Sequence, residues 1–271
     1  MPFVSVVIIT WNAQRYVKDC LDSVIKSLQG IVYEIIVIDN GSTDSTKDLL
    51  SSYKNKGTNI NILFKDHNLG VAKARNVGLK QAQGKYIWIL DIDTVVNQTV
   101  LSAMIDFMES NRKCGLCATK LISSEGNVQD SCRKLPSVRY KLNNFLEVVF
   151  AKTSFTRKWR KKIERANQSQ FYRSLTEQNN PFEVEYVIGA CQFIRKKALD
   201  ETGLLDEKIF YGPEDADFCL RVAQKGWTIN YLPYVTIIHE YQQITKKKLF
   251  SSISYKHAKA LLYFFWKHKK F

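Results

Sequence analysis

The first third of the chain alternates apolar runs with stretches of helical periodicity, and this alternation constrains the fold more than any other feature. Val4–Ile9 and Glu34–Asp39 are mainly apolar runs of strand length, and Tyr16–Leu28 between them repeats apolar residues at helical spacing. Strands that alternate with helices are typical of a parallel sheet covered by helices. The sequence therefore predicts an α/β fold.

The same reasoning places further elements along the chain. It predicts helices at 45–53, 71–83, 99–110 and 213–225, and strands at 60–64, 86–90, 116–121, 184–188, 228–232 and 235–239. Residues 136–180 are rich in basic, aromatic and amide side chains, centred on Arg157–Lys162, and only short helices are expected there.

Composition indicates a packed protein with an anionic partner. The chain has 271 residues, of which 45% are hydrophobic, so it can bury a sizeable core. Its net charge is +14: residues 1–135 carry 16 basic and 13 acidic groups, and residues 136–271 carry 24 and 13. The second half is therefore expected to face nucleic acid, a phosphorylated ligand or a membrane surface.

The six cysteines predict reduced thiols in a cytosolic protein. No secretory segment or apolar stretch of membrane-spanning length is found. Cys114 and Cys117 form a C-x-x-C pair, but no second pair lies at zinc spacing, so buried thiols are the expectation.

Carboxylates follow the predicted strands of the first half. Asp39 ends one strand, and Asp91 and Asp93 follow another. Ligands of open α/β sheets collect at the carboxyl ends of strands, and paired carboxylates suit Mg²⁺ or Mn²⁺ that share a substrate diphosphate. A metal–diphosphate site is one interpretation; turn and helix-cap chemistry is the alternative for an isolated D-x-D.

A second acidic cluster opens the predicted helix at 213–225. Glu214, Asp215 and Asp217 lie in its first turn, where acidic groups also stabilise a helix without any catalytic role. His239 ends a β-rich run, and a lone histidine there is more often structural than a ligand.

These features occur together with seven segments in a fixed order. They are SVVIITWN, VIDNGSTDST, HNLGVAKARNVGL, GKYIWILDIDT, GACQFIRK, GPEDADFCLR and IIHE. The series resembles family 2 glycosyltransferases of the GT-A fold, and within them the bacterial rhamnosyltransferase-type members that build cell-surface polysaccharides. The resemblance covers about residues 3–240.

The resemblance implies a Rossmann-like, mostly parallel sheet flanked by helices, with a basic C-terminal helical extension. Residues 1–240 would form the glycosyltransferase domain, with a nucleotide-sugar-binding half at 1–121 and an acceptor-binding and catalytic half at 122–240. Residues 241–271 would form a basic aromatic tail.

The resemblance also implies a role for each site residue. Thr10 and Asp39 would bind the donor base, since an Asp can accept a hydrogen bond from N3–H of uracil or thymine. Arg75 and Asp91 would lie on the nucleotide side, and Asp93 and His239 would bind Mg²⁺ or Mn²⁺.

For catalysis, the resemblance implies an inverting hexosyltransferase with Asp215 as base and Glu214 as its helper or as a contact to the acceptor. The donor would be dTDP-rhamnose or a UDP-sugar, and the acceptor a saccharide or a lipid-linked sugar. Gly189 and Ala190 would let the backbone approach the sugar or acceptor, although a buried strand end explains them almost as well.

The tail at Lys246–Phe271 carries eight basic and no acidic residues among its aromatics. A helix at about Ser252–Lys267 could lie on an anionic membrane, which would place the protein on the inner face of the plasma membrane. Alternatively, its apolar side packs on the main domain, and both could hold.

A noncatalytic nucleotide-sugar-binding relative and a nucleic-acid-binding protein remain alternative functions. A nucleotidyltransferase would need a glycine-rich loop that Ile9–Asn12 does not provide.

Overall fold

The structure is a computed structural model that describes residues 1–54, 59–140, 143, 167–240 and 252–269, with backbone alone for 252–254. The predicted basic cluster at Arg157–Lys162 lies outside the described residues.

A nine-stranded mixed sheet forms the centre of the described structure. Its strands lie in the order β3-β2-β1-β4-β10-β6-β11-β5, and β8 pairs with β11. The strands are β1 (Val4–Thr10), β2 (Tyr33–Asp39), β3 (Ile60–Phe64), β4 (Tyr86–Asp91), β5 (Thr94–Val96), β6 (Cys114–Ile122), β8 (Phe182–Glu183), β10 (Cys191–Arg195) and β11 (Thr228–His239). A separate antiparallel pair is formed by β7 (Cys132–Arg133) and β9 (Tyr186–Val187).

Helices cover both faces of this sheet. They are α1 (Val17–Ser27), α2 (Thr46–Lys54), α3 (Val71–Leu79), α4 (Gln98–Ser110), α5 (Arg173–Thr176), α6 (Lys196–Thr202), α7 (Glu214–Gln224) and α8 (Ser252–His268). Alternate residues of each central strand enter opposite cores: Trp88 packs with the core that includes α1 and α4, whereas Ile87 packs with the core that includes α7 and α8. The predicted α/β class is confirmed.

The parallel half of the sheet aligns the ends of three strands. In β1, Thr10 lies opposite Asp39 of β2, and Ile9 lies opposite Asp91 of β4. Because side chains at the carboxyl ends of parallel strands share one edge, the predicted donor-side residues are brought together there.

The other half brings in residues that are distant in sequence. Strand β10 runs antiparallel between β4 and β6, and the backbone N–H of Asp91 donates to the Ala190 carbonyl at 3.1 Å. Strand β11 pairs with β5 so that His239 lies opposite Thr94. The sheet therefore places His239 beside the Asp91-x-Asp93 turn.

Three sequence expectations differ in detail from the structure. The predicted strand at 184–188 is replaced by β8 and β9, which belong to different sheets. The two strands predicted at 228–232 and 235–239 are the single β11, whose register shifts between Leu232 and Thr236 around Pro233, a residue without an N–H to donate. Helix α3 ends at Leu79 instead of residue 83.

The prediction that the cysteines are buried thiols is confirmed. All six are free and buried. Burial raises the pKa of the Cys114 thiol to about 12. In the described part of the chain, every helix is too short or too polar to cross a bilayer.

Candidate active site

Asp91, Asp93 and His239 form a cluster of side chains that could hold a cation. Ligand atoms of the three residues all lie within 4.8 Å of one another, and within the described ranges they are the one such group of three acidic, histidine or cysteine residues. Hard carboxylate oxygens with one imidazole nitrogen are a donor set that suits Mn²⁺ or Mg²⁺. The residues present therefore fit the divalent cation that the resemblance implies.

Gln129 fixes the orientation of the His239 ring. Its side-chain Oε1 lies 2.7 Å from Nδ1 of His239, and its Nε2 donates to the His239 carbonyl at 2.7 Å. An amide oxygen only accepts, so Nδ1 carries a proton and Nε2 is left to face Asp93, whose Oδ1 is 3.4 Å away. Histidine ligands of metals are commonly oriented by such a second contact.

The Asp91–Asp93–His239 cluster carries an excess of negative charge, which Arg75 offsets only in part. Burial and the neighbouring Asp93 raise the pKa of Asp91, although Arg75 acts to lower it. Burial lowers the pKa of His239, but Asp93 more than compensates, so the net pKa is raised. Both shifts favour an added proton, and a bound cation would satisfy the same excess of negative charge.

Arg75 connects this cluster to the second acidic pair. The side chain, 3% exposed, donates from Nη2 to Asp91 Oδ1 at 2.6 Å and lies 3.3 Å from Glu214 Oε1 through Nη1. Burial lowers the pKa of Arg75, but Asp91 and Glu214 raise it more, so the net pKa lies above its ordinary value. The guanidinium stays charged and links the two groups of carboxylates.

Gly189 leaves the space that Arg75 occupies. A Cβ atom at this position would lie 2.8 Å from the guanidinium carbon, and the Gly189 carbonyl accepts from Nη2 at 2.9 Å. Ala190 is buried beside Asp91. The close approach expected at this glycine is therefore made to Arg75, and a contact of Gly189 or Ala190 with the sugar or acceptor stays a prediction.

The three acids at the start of α7 have different surroundings. Glu214 is buried, and burial together with Asp215 raises the pKa of its carboxyl to about 7. Asp215 is partly exposed and accepts from the Ala216 N–H at 2.7 Å, so its second oxygen is available to a ligand. Asp217 is fully buried and paired with Arg221, and it belongs to the packing of the helix. Of the three acids, only Asp215 is partly exposed to solvent.

At the ends of β1 and β2, two buried polar atoms lack a partner among the described residues. They are Oγ1 of Thr10 and Oδ1 of Asp39. The other Asp39 oxygen accepts from the Ser42 N–H at 3.1 Å, which fixes the carboxylate. A buried acceptor without a donor costs free energy unless a ligand supplies one.

Two residues near the site were missed by sequence reasoning. Gln129 lies outside every motif, and only the pairing of β11 shows that it meets His239. Trp11 follows Thr10 directly and is 46% exposed at the end of β1. A large exposed aromatic side chain directly after a buried strand is the signal that could have pointed to Trp11.

The Glycosyl transferase family 2 model matches residues 5–203 of the chain. Among curated relatives, the protein named "Putative teichuronic acid biosynthesis glycosyltransferase TuaG" of Bacillus subtilis is 34% identical over 131 residues, covering 48% of this chain and 51% of TuaG. A poly(ribitol-phosphate) beta-glucosyltransferase of Bacillus spizizenii is 34% identical over 111 residues, covering 40% of this chain and 18% of the relative. The chain thus spans about half the length of the first of these relatives and less of the second.

Solved structures show the same GT-A fold. The mannosyltransferase PcManGT of Pyrobaculum calidifontis, in complex with GDP-Man and Mn²⁺, is 16% identical with a TM-score of 0.59, covering 89% of this chain and 58% of that one. TarS 1–349 of S. aureus is 20% identical with a TM-score of 0.57, covering 87% and 60%. Residues Glu214, Asp215 and His239 lie beyond the stretch that the family model matches.

Proposed function

Because this chain belongs to glycosyl transferase family 2, we propose that it transfers a sugar from a nucleoside diphosphate sugar to a saccharide or lipid-linked acceptor in cell-surface polysaccharide synthesis. The observation that carries the proposal is that Arg75 joins the Asp91–Asp93–His239 cluster to the Glu214–Asp215 pair. One side chain, that of Arg75, thus contacts both the proposed cation site and the acid pair that would act on the acceptor.

The donor base is proposed to lie against Asp39 and Thr10. The buried Oδ1 of Asp39 can accept a hydrogen bond from N3–H of uracil or thymine, which supplies the hydrogen-bond donor that this oxygen lacks. TarS has been solved with UDP-GlcNAc, and GalNAc-T7 with UDP, GalNAc and Mn²⁺. A UDP-sugar is therefore one proposed donor, and dTDP-rhamnose, which presents the same N3–H, is the other.

Asp91, Asp93 and His239 are proposed to hold the cation, either Mn²⁺ or Mg²⁺. When bound, the cation supplies positive charge beside the donor diphosphate. Gln129 keeps the imidazole in the tautomer that presents Nε2 to the site. Arg75, which contacts Asp91, is proposed to contribute a fixed positive charge on the nucleotide side.

The reaction proposed is a single displacement with inversion. An Asp215 oxygen takes the proton of an acceptor hydroxyl while that oxygen forms a bond to the anomeric carbon of the donor. The bond between that carbon and the diphosphate oxygen breaks, and the electron pair leaves with the nucleoside diphosphate. Glu214 is proposed to support Asp215 from its buried position beside Arg75.

A donor panel tests this function. Purified protein is incubated with Mn²⁺ and a series of UDP-, dTDP- and GDP-sugars, and release of the nucleoside diphosphate is measured with and without saccharide acceptors. We expect turnover with a uridine or thymidine donor, and a product of inverted anomeric configuration by NMR. Binding without turnover would instead indicate a noncatalytic nucleotide-sugar-binding relative.

We further propose that the protein works as a peripheral protein on the anionic inner face of the plasma membrane. The side of α8 that faces solvent carries Tyr255, Leu262 and Trp266, which are 74%, 71% and 70% exposed, and the exposed Lys259 lies among them. Aromatic and leucine side chains next to lysines suit the headgroup boundary of a membrane with anionic lipid.

A further inference from the structure

Helix α8 packs on α7, which begins with the acid pair Glu214 and Asp215, and on the loop before it. Its inner face buries Ala260, Phe264 and Phe265, and both phenylalanines join the core that contains Ala216 and Leu220 of α7. The packing expected as one alternative for the tail is therefore confirmed. It joins residues beyond 250 to the helix that begins with Glu214 and Asp215.

At its C-terminal end, α8 supplies positive charge to two acids, the partly exposed Asp206 and the buried Asp217. Nζ of Lys267 lies 2.6 Å from Asp217 Oδ1 and 2.7 Å from Asp206 Oδ2, so one ammonium bridges α7 and the loop before it. Nε2 of His268 lies 2.8 Å from the same Asp217 oxygen. Burial raises the pKa of Asp217, but Lys267 and the other basic neighbours lower it more, so the carboxylate stays charged.

Nearer its start, α8 contacts the backbone directly before the acid pair. Nδ1 of His257 lies 3.1 Å from the Gly212 carbonyl and 3.3 Å from the Tyr211 carbonyl. Carbonyl oxygens only accept, so Nδ1 carries the proton and donates. The ring also lies against the α-carbon of Gly212, where a Cβ would be 3.2 Å from it.

The opposite side of this loop lies on α3, the helix that carries Arg75. The N–H of Val71 donates to the Phe210 carbonyl at 2.8 Å. The side chain of Asn76 donates to the Leu205 carbonyl at 2.9 Å and accepts from the Leu205 N–H at 3.0 Å. Residues 204–213 are thus fixed between α3 and α8.

From these contacts we infer that α8 positions the catalytic acids, with His257 and Lys267 as positioning residues that act through residues 206–217. The inference rests on the proposed function, in which Asp215 is the base. Because a base must lie within hydrogen-bond reach of the acceptor hydroxyl, a shift of about 1 Å in this backbone costs rate without touching the donor site.

The test compares four substitutions in the full chain. His257→Leu removes the Nδ1–H that donates the hydrogen bond, whereas His257→Asn keeps an N–H close to the place of Nδ1. Lys267→Met removes the bridging charge with little change in length. Lys26→Met changes an exposed lysine near the end of α1, away from residues 204–216, and is the matched control. Amide hydrogen exchange of residues 204–216, kcat for donor turnover, and UDP affinity with Mn²⁺ are measured for each.

We expect exchange in this segment to rise about tenfold in His257→Leu and Lys267→Met, while strand β4 is unchanged. We expect kcat to fall at least about tenfold with UDP affinity within about twofold of wild type. His257→Asn should recover most of both effects, and Lys26→Met should show neither.

Unchanged exchange in the folded His257→Leu and Lys267→Met proteins would overturn the inference. An equal loss of kcat and of UDP binding, with no recovery in His257→Asn, would also overturn it, because general destabilisation explains that result. If the wild type turns over no donor, the proposed function fails, and the exchange data still decide whether α8 positions the segment.

Discussion

The role that Arg75 can play depends on the residues that surround it in the fold. From sequence alone, an arginine in a helix can also be explained as a solvent-exposed charge. Here it is buried against Asp91, Glu214 and the Gly189 carbonyl, three groups that lie far apart in the chain. The resemblance placed Arg75 on the nucleotide side, and the structure adds its contact with the acid pair, which no local pattern indicates.

Asp215→Asn tests the proposed base. The asparagine amide cannot take the proton of the acceptor hydroxyl at neutral pH, so we expect kcat to fall at least about a hundredfold. UDP affinity should be nearly unchanged, because a base acts mainly in the transition state. Donor turnover and calorimetry with UDP and Mn²⁺ measure the two effects. Transfer within about threefold of wild type would remove Asp215 from this role.

Glu214→Gln tests the raised pKa of Glu214. The pKa rises from an ordinary 4.5 to about 7 on folding, mainly because the carboxyl is buried. The folded protein therefore holds the proton more tightly than the unfolded chain does, and wild-type stability falls as pH rises from about 4.5 to 7. At about 1.4 kcal/mol for each pKa unit, this loss is on the order of 3 kcal/mol.

The glutamine variant cannot lose that proton, so its free energy of unfolding relative to wild type should increase between pH 5 and pH 8. Urea unfolding at both values measures the difference. A relative stability that does not change, or changes in the opposite direction, would show that Glu214 titrates near its ordinary pKa.

At the scale of elements, the parallel half of the fold could be predicted and the mixed half only in part. Strands β1, β2 and β4 are buried on both faces, so each reads as a continuous apolar run. Strand β10 is five residues long and includes Gln192 and Arg195, and its place between β4 and β6 depends on contacts that are distant in sequence. Sequence patterns carry no signal for such pairing.

The candidate site divides in the same way. The positions of Asp39, Asp91 and Asp93 follow from the rule for the ends of parallel strands, since each lies at or just after one. His239 could be assigned only by resemblance, because its approach to Asp93 depends on the pairing of β11 with β5. Gln129 and the bond between Lys267 and Asp217 could not be assigned at all.

The outer side of α8 supports a prediction about membranes. Replacing Leu262 and Trp266 together by Ser removes apolar side chains that contact no core, so folding and UDP affinity should be preserved. Binding to vesicles that contain anionic lipid should fall several-fold, and added salt should weaken what remains, since each lysine near such a surface contributes about 1 kcal/mol.

Vesicle sedimentation measures this binding, with neutral vesicles and an exposed apolar site elsewhere, Val128→Ser, as controls. Equal sedimentation of the double variant and the wild type with anionic vesicles would contradict a role for this side of the helix. Loss of self-association in place of vesicle binding would show that a second copy of the chain covers it.

At the scale of the whole molecule, one sheet joins the proposed donor side to the proposed catalytic side. The family match ends at residue 203, yet β11 continues the same sheet and returns His239 to the Asp91-x-Asp93 turn. Helix α8 then closes over the loop that precedes Asp215. The site is thus assembled from both ends of the described chain.

The central claim is that Asp91, Asp93 and His239 bind a divalent cation that is needed to hold a pyrimidine nucleoside diphosphate. Calorimetric titration of UDP and dTDP into the protein, with Mn²⁺ or with a chelator, tests it most directly. Asp93→Ala is compared with Asp106→Ala, which changes an exposed acid on α4. We expect binding with Mn²⁺ in the wild type and in Asp106→Ala, and at least about tenfold weaker binding in Asp93→Ala or with chelator. Nucleotide affinity that is the same in Asp93→Ala and unaffected by Mn²⁺ would contradict the account.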